Sequence, residues 1–249
     1  MFHDRKIRLW AVLFWLLVWQ LGSIAVGSDI LLVSPLQVLA RLFELIREKS
    51  FWAAILYSAL RIAAGFLLGT TAGTVLAALA ARFRRVDELL APLILTIKTI
   101  PVASFIILVL IWFTSVHLSV VISFLMVMPI LYTNVREGID SVDDDLLEMA
   151  SLFRIPAGRR VRYIYITQVM PFFRTGCTLA LGLCWKSGIA AELIGVPSGS
   201  IGELLYRSKI YLETPDLFAW TLVIVLISLA FEKLTLKAVD LAAAFLERM

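Results

Sequence analysis

Three charged side chains stand in or beside stretches that are otherwise apolar: Lys98, Lys186 and Glu192. Charge is costly in hydrocarbon, so such residues are the first candidates for binding or moving a solute. A lysine facing a path would attract an anionic solute. The same residues admit a structural reading, in which Lys98 or Lys186 pairs with Glu192 or extends its stem to an interface. Other chemistry lacks its parts. No Gly-x4-Gly-Lys-Ser/Thr loop is present to cradle a nucleotide phosphate. His3 and His117 are far apart, with no cluster of metal ligands near either, and no serine elbow or zinc-protease helix occurs. Cys177 and Cys184 lie seven apart in an apolar run, which fits small packing residues on one helix face better than a disulfide or metal pair. The chain is therefore expected to carry no catalytic residue, no metal and no cofactor.

A second patterned segment spans Asp140–Gln168. Asp143 or Asp144 can cap a helix with an acidic first turn, and Leu146, Leu147, Ala150 and Phe153 give it an apolar face. Pro156 and Gly158 are expected to end it, before Arg159, Arg160 and Arg162. A short helix with apolar and charged sides suits docking into a partner's groove, and it also suits a solvated connector.

The elements that must hold these residues follow from composition. Of 249 residues, 61% are hydrophobic and 17% charged, with mean hydropathy +0.92. A soluble surface could not be covered at that charge content. A bilayer removes the need, provided the backbone is satisfied within helices. Six apolar runs are long enough to cross it: Leu9–Val26, Ile55–Ala81, Leu89–Phe113, Leu118–Ile139, Val169–Ile189 and Leu217–Leu236. The expectation is an all-α polytopic membrane protein, one transmembrane domain over 1–249, with a helical connector at about 140–168.

The second run carries Gly65, Gly69, Gly73, Ala77 and Ala81, a nearly bare face for close helix packing. Pro101 and Pro129 are expected to bend the third and fourth. Ser34 and Pro35 open a short amphipathic helix before the second, expected at the membrane surface. The net charge of +4 comes from basic residues lying mainly between apolar runs, which points to orientation rather than nucleic acid. With the N-terminus inside, Arg5, Lys6, Arg8, Arg82, Arg84, Arg85, Arg136, Arg154, Arg159, Arg160, Arg162, Lys233, Lys237 and Arg248 fall inside. Only Arg41, Arg47, Lys49, Arg207 and Lys209 fall outside. Both termini are expected in the cytoplasm.

The connector resembles the "EAA" loop of binding-protein-dependent ABC importer permeases, whose pattern is Glu-Ala-Ala, three residues, Gly, nine residues, Ile, one residue, Leu-Pro. Glu148, Ala150 and Ile164 match it. Met149, Arg154, Ile166 and Thr167 replace the second, glycine, leucine and proline positions. Arginine adopts a left-handed turn less cheaply than glycine, so the local backbone is open at Arg154. The run from Trp185 through Ala190-Ala191-Glu192 to Gly195 resembles permeases for nitrate, sulfonates and taurine. So do Ser34-Pro35, Ser58-Ala59-Leu60-Arg61 with Gly65-Phe66, Lys98-Thr99-Ile100-Pro101, and Asp216-Leu217-Phe218-Ala219-Trp220. The resemblance covers nearly the whole chain, in order.

That resemblance implies a prokaryotic plasma or inner membrane protein working as a permease pair, with a homodimer expected. It implies two separate ATPase subunits and an external solute-binding protein. The ATPase-coupling residues would be Asp144, Asp145, Leu147, Glu148, Ala150, Ser151, Phe153, Arg154 and Gly158. The solute class it spans covers inorganic anions, sulfonates and thiamine-precursor pyrimidines. The competing reading is a stand-alone secondary transporter or channel, which would need an intramembrane carboxylate of its own, with Glu192 the main candidate.

Overall fold

The computed structural model describes residues 8–248, with side chains through Phe245. Expectations resting on His3, Arg5 and Lys6, or on the side chain of Arg248, lie outside what is described. The described residues form helices without strands. Helix α1 is Leu9–Val26, α2 Pro35–Leu45, α3 Lys49–Arg82, α4 Arg84–Thr99, α5 Val102–Trp112 and α6 Ser115–Asp140. Helix α7 is Asp144–Leu152 and α8 Ala157–Arg160, which runs through a π-turn at Val161–Tyr165 into α9, Ile166–Gly195. Helix α10 is Ile201–Ile210 and α11 Thr214–Arg248. Five helical segments are long and apolar enough to cross a bilayer, and six if the bent pair α4–α5 counts as one.

That pair departs from the expected third span. Pro101 lacks the donor that would continue the helix, and Ile100 is driven to an extended conformation (φ −70°, ψ 130°). The axes of α4 and α5 meet at 109°. Pro129, expected to bend the fourth span, lies within α6 with helix on both sides.

Helix α6 is central, with α3 and α9 packed against it. The bare stripe of α3 makes that seam possible. An added Cβ at Gly65 would meet the Val120 carbonyl oxygen at 2.5 Å, and one at Gly73 the Met128 oxygen at 2.5 Å. Backbone therefore lies directly on backbone, which is how helices gain contact energy where lipid supplies no hydrophobic drive. The stripe continues through buried Ala77 to Ala80, not to Ala81, which is exposed. Because α6 of the same chain occupies it, the stripe cannot serve the contact with a second copy that its bareness also invites.

Helix α11 is joined to this core by rings. Phe231 meets Phe66 and Trp185 at centroid distances of 5.9 and 5.8 Å, and Trp220 meets Phe51 at 5.0 Å. Its first turn is tied to α2 by Asp216, which accepts two hydrogen bonds from the Arg41 guanidinium. Those bonds, to Asp216 first and Glu44 second, raise the pKa of Arg41 and fix its charge. Helix α2 begins as its sequence dictates, with Ser34 and Gln37 forming a reciprocal capping box. Cys177 and Cys184 are free and buried, consistent with small packing residues.

Candidate functional site

The connector is built by its ends. The Asp143 side chain caps α7 by accepting from the Asp145 amide at 3.0 Å, and Asp144 and Asp145 make the first turn acidic. The helix stops at Leu152, earlier than Pro156 and Gly158 would impose. Arg154 takes φ +54°, the left-handed conformation that glycine adopts at no steric cost. The Arg154 amide donates to the Ser151 carbonyl at 3.0 Å, and the Ile155 amide to the Ala150 carbonyl at 2.9 Å. This is a Schellman closure, with Ile155 packing back toward Ala150. Arg160 secures it, its guanidinium donating to the carbonyls of Ile155 and Ala150 at 3.1 and 3.2 Å. The position where the resembled loop pattern has glycine is thus left-handed here, with arginine in it. Gly158 sits in α8 with nothing in reach of an added Cβ, so its lack of a side chain is not what shapes the turn.

The expected apolar face of α7 is divided. Ala150 is fully buried and packs with Val142 and Ile164, with Leu146 and Leu147 partly buried against them. These residues hold the connector to its own chain. Leu152 and Phe153 instead project, 82% and 75% exposed, with Met149 beside them. Glu148, Ser151 and Arg154 are exposed. Phe153 closes α7 with a near-helical backbone (φ −82°, ψ 4°), so the helix itself sets its outward direction and the left-handed turn follows at Arg154. Met149, Leu152 and Phe153 stand three and four residues apart and form a second apolar stripe beside Leu146, Leu147 and Ala150, and the sequence pattern does not say which stripe the chain itself covers.

A groove of about 530 Å3 opens between α4 and α6, near the connector. Lys98 lines it and donates from Nζ to Thr133 Oγ1 at 2.9 Å. Thr133 in turn donates to the Pro129 carbonyl at 2.7 Å. Asp87, Tyr132, Arg136 and Asp140 line the same groove. Asp87 Oδ1 accepts from the Tyr132 hydroxyl at 3.1 Å and lies 3.6 Å from Arg136 Nε, while Arg136 also pairs with Asp140. This cluster joins residues 45 positions apart, which a single sequence does not announce.

Glu192 stands elsewhere. It is wholly buried and accepts from Ser58 Oγ at 2.6 Å and from the Gly202 amide at 3.3 Å. Ser58 Oγ also accepts from the Ile201 amide at 3.0 Å, so the carboxylate and serine together seat the first turn of α10. The fit is close, since a Cβ at Gly202 would meet Glu192 Cβ at 2.4 Å. Lys186 is exposed and forms no ion pair among the described residues. Neither lysine pairs with Glu192, so the three intramembrane candidates do not converge on one site.

A family profile described as "Binding-protein-dependent transport system inner membrane component" matches residues 69–241. The chain is 30% identical over 237 residues to an Escherichia coli (strain K12) protein named as a permease of aliphatic sulfonate transport, covering 93% of this chain and 86% of that one. It is 26% identical over 203 residues to the nitrate import permease protein of Synechococcus elongatus, covering 77% and 72%. It is 24% identical over 207 residues to the formylaminopyrimidine transport permease protein of Halalkalibacterium halodurans, covering 82% and 81%.

Proposed function

This chain belongs to the binding-protein-dependent transport system inner membrane components, as a permease subunit of an ATP-binding-cassette importer, and from that premise we propose how its parts divide the work. Two copies of the chain enclose the path, with two ATPase subunits on the connector side and a solute-binding protein on the other. The connector helix α7 seats in the ATPase. Met149, Leu152 and Phe153 supply the contact, while Asp144, Asp145, Glu148, Ser151 and Arg154 form its polar rim. Leu147, Ala150 and Gly158 shape the connector from within or behind.

The observation that carries this reading is the pair Leu152–Phe153. Two large apolar side chains project into solvent from a connector otherwise anchored to its own chain, beside a Schellman turn at the family's glycine position. Burying such anchors is what gives an interface its affinity. ATP-driven closure of the ATPases then moves the connectors and switches the permease pair between inward-open and outward-open states.

The solute is a small anion of the nitrate or sulfonate kind, or a pyrimidine precursor, in keeping with the relatives' names. Lys98 is the residue of this chain best placed to meet an anion, because it is exposed in an open groove and its one bond is to a neutral hydroxyl. Glu192 serves structure rather than the path, and that removes the main support for an ion-coupled secondary transporter. The test is reconstitution of the chain with its ATPase and binding protein in liposomes. Solute uptake that requires ATP and both partners supports the assignment, and uptake by the chain alone overturns it.

A further inference from the structure

We propose that Asp87 is a positioning residue that latches the broken span to the connector end of α6, so that the two move as one when the connector is pushed. This rests on the reading of the chain as an ATP-driven permease. The linkage is continuous in the structure. Val142 packs in the connector's own cluster with Ala150 and Ile164, two residues beyond the end of α6. The last turn of α6 is stiffened by the Arg136–Asp140 pair and by Ser141 Oγ donating to the Glu137 carbonyl at 2.7 Å. Arg136 and Tyr132 lie one helical turn apart and face α4, where both meet Asp87. The Nε of Arg136 is buried and makes no hydrogen bond, so the Asp87 carboxylate at 3.6 Å is the counter-charge it has on that side.

The latch matters because, among the described residues, α4 has two polar ties to α6, one at Asp87 and one at Lys98. Its apolar packing rests on Leu90, Ile94 and Ile97, an open groove separates much of it from α6, and its far end breaks through 109° into α5. A connector displacement would pass into α6 directly. It reaches α4 and the Lys98 wall of the groove through Asp87 at one end and the Lys98–Thr133 bond at the other. Without the carboxylate, the Arg136 end of α6 can move while the Asp87 end of α4 stays behind, and the Lys98–Thr133 bond is the polar tie that remains. ATP is then spent without the groove changing shape.

The quantity to measure is solute delivered per ATP hydrolysed, in liposomes holding the whole transporter. A merely structural role would change the amount of complex and leave this ratio alone. Asp87→Asn keeps the size and a hydrogen-bond acceptor for Tyr132 but removes the charge, and should lower the ratio about fivefold or more, the usual scale of coupling between sites. Tyr132→Phe should lower it less, and Asp87→Glu should hold it near wild type. A wild-type ratio in Asp87→Asn overturns the latch. If Asp87→Asn fails to assemble, a wild-type ratio in assembled Tyr132→Phe overturns it equally. A wild-type complex that hydrolyses ATP but delivers no solute refutes the permease reading itself, and the latch with it.

Discussion

Arg154 shows how one residue can decide the shape of a site. A non-glycine residue in the left-handed region costs roughly 1 kcal/mol, and the costs here are met by two backbone hydrogen bonds and the Arg160 clasp. Arg154→Gly should therefore keep the turn and raise the stability of the solubilised protein by about 1 kcal/mol or less, read as a higher midpoint in thermal unfolding. Arg160→Ala should loosen the same turn and lower the midpoint. At the partner surface the ranking reverses importance. Phe153→Ala or Leu152→Ala should weaken ATPase retention by about 2 kcal/mol, whereas the rim change Arg154→Ala should cost under about 1 kcal/mol. Equal retention of all three variants on ATPase pull-down would remove the connector from the interface. Lys98→Met should lower uptake of an anion by about tenfold, equivalent to 1.4 kcal/mol, with assembly and basal ATP hydrolysis intact. Unchanged uptake kinetics would leave Lys98 a structural role only. The acidic start of α7 was legible because capping is local chemistry. The outward side of Met149, Leu152 and Phe153 was not, because two apolar stripes share this helix and only tertiary packing decides which one the chain covers.

At the scale of elements, the seam between α3 and α6 leaves no room for added side chains. Gly69→Val would place its branch against Val127 Cβ, 2.8 Å from the Cβ position alone, and against the Phe124 oxygen at 2.9 Å. Overpacking of this kind commonly costs 1–3 kcal/mol or more (about that range in soluble cores), and against backbone it leaves no rotamer to yield. Loss of folded protein in detergent, with Gly158→Val tolerated alongside, is the expected pattern. A four-residue spacing of small residues is visible in any sequence, so the existence of the seam was readable. Its partner was not, since nothing local distinguishes α6 from a second copy of the chain. The third span illustrates the other limit. Pro101 predicts a disturbance, but proline is compatible with a modest kink as well as a full break. The 109° turn is set by what α5 packs against, namely Leu118 and Ile122 of α6 and Ala191 of α9.

For the whole molecule, the order and number of apolar segments were readable because lipid imposes length and composition on every span. Orientation is read from charge asymmetry alone. Single cysteines at Ser28, Ser115 and Ser198 should label from outside in intact cells, and one at Arg84 should not. Ser200 is unsuitable, being buried as the cap of α10. Labelling at Arg84 from outside would invert the topology. The mass of a gently solubilised complex should correspond to two permease and two ATPase subunits.

The break between α4 and α5 also bears on how the chain is made. Helix α5 has 11 residues and so extends about 16 Å, roughly half the hydrocarbon thickness. Its buried residues, Ile106 and Val109, are covered by Leu118, Ile122 and Met126 of α6 and by Ala191 of α9. During synthesis α5 thus has no stable resting place until the next segment has emerged. Nascent chains arrested after Phe113 should be extractable at that segment or accessible to protease, and chains arrested after Asp140 should be integrated. The ribosome must deliver this part of the permease as a hairpin, and the membrane must accept two helices in one act.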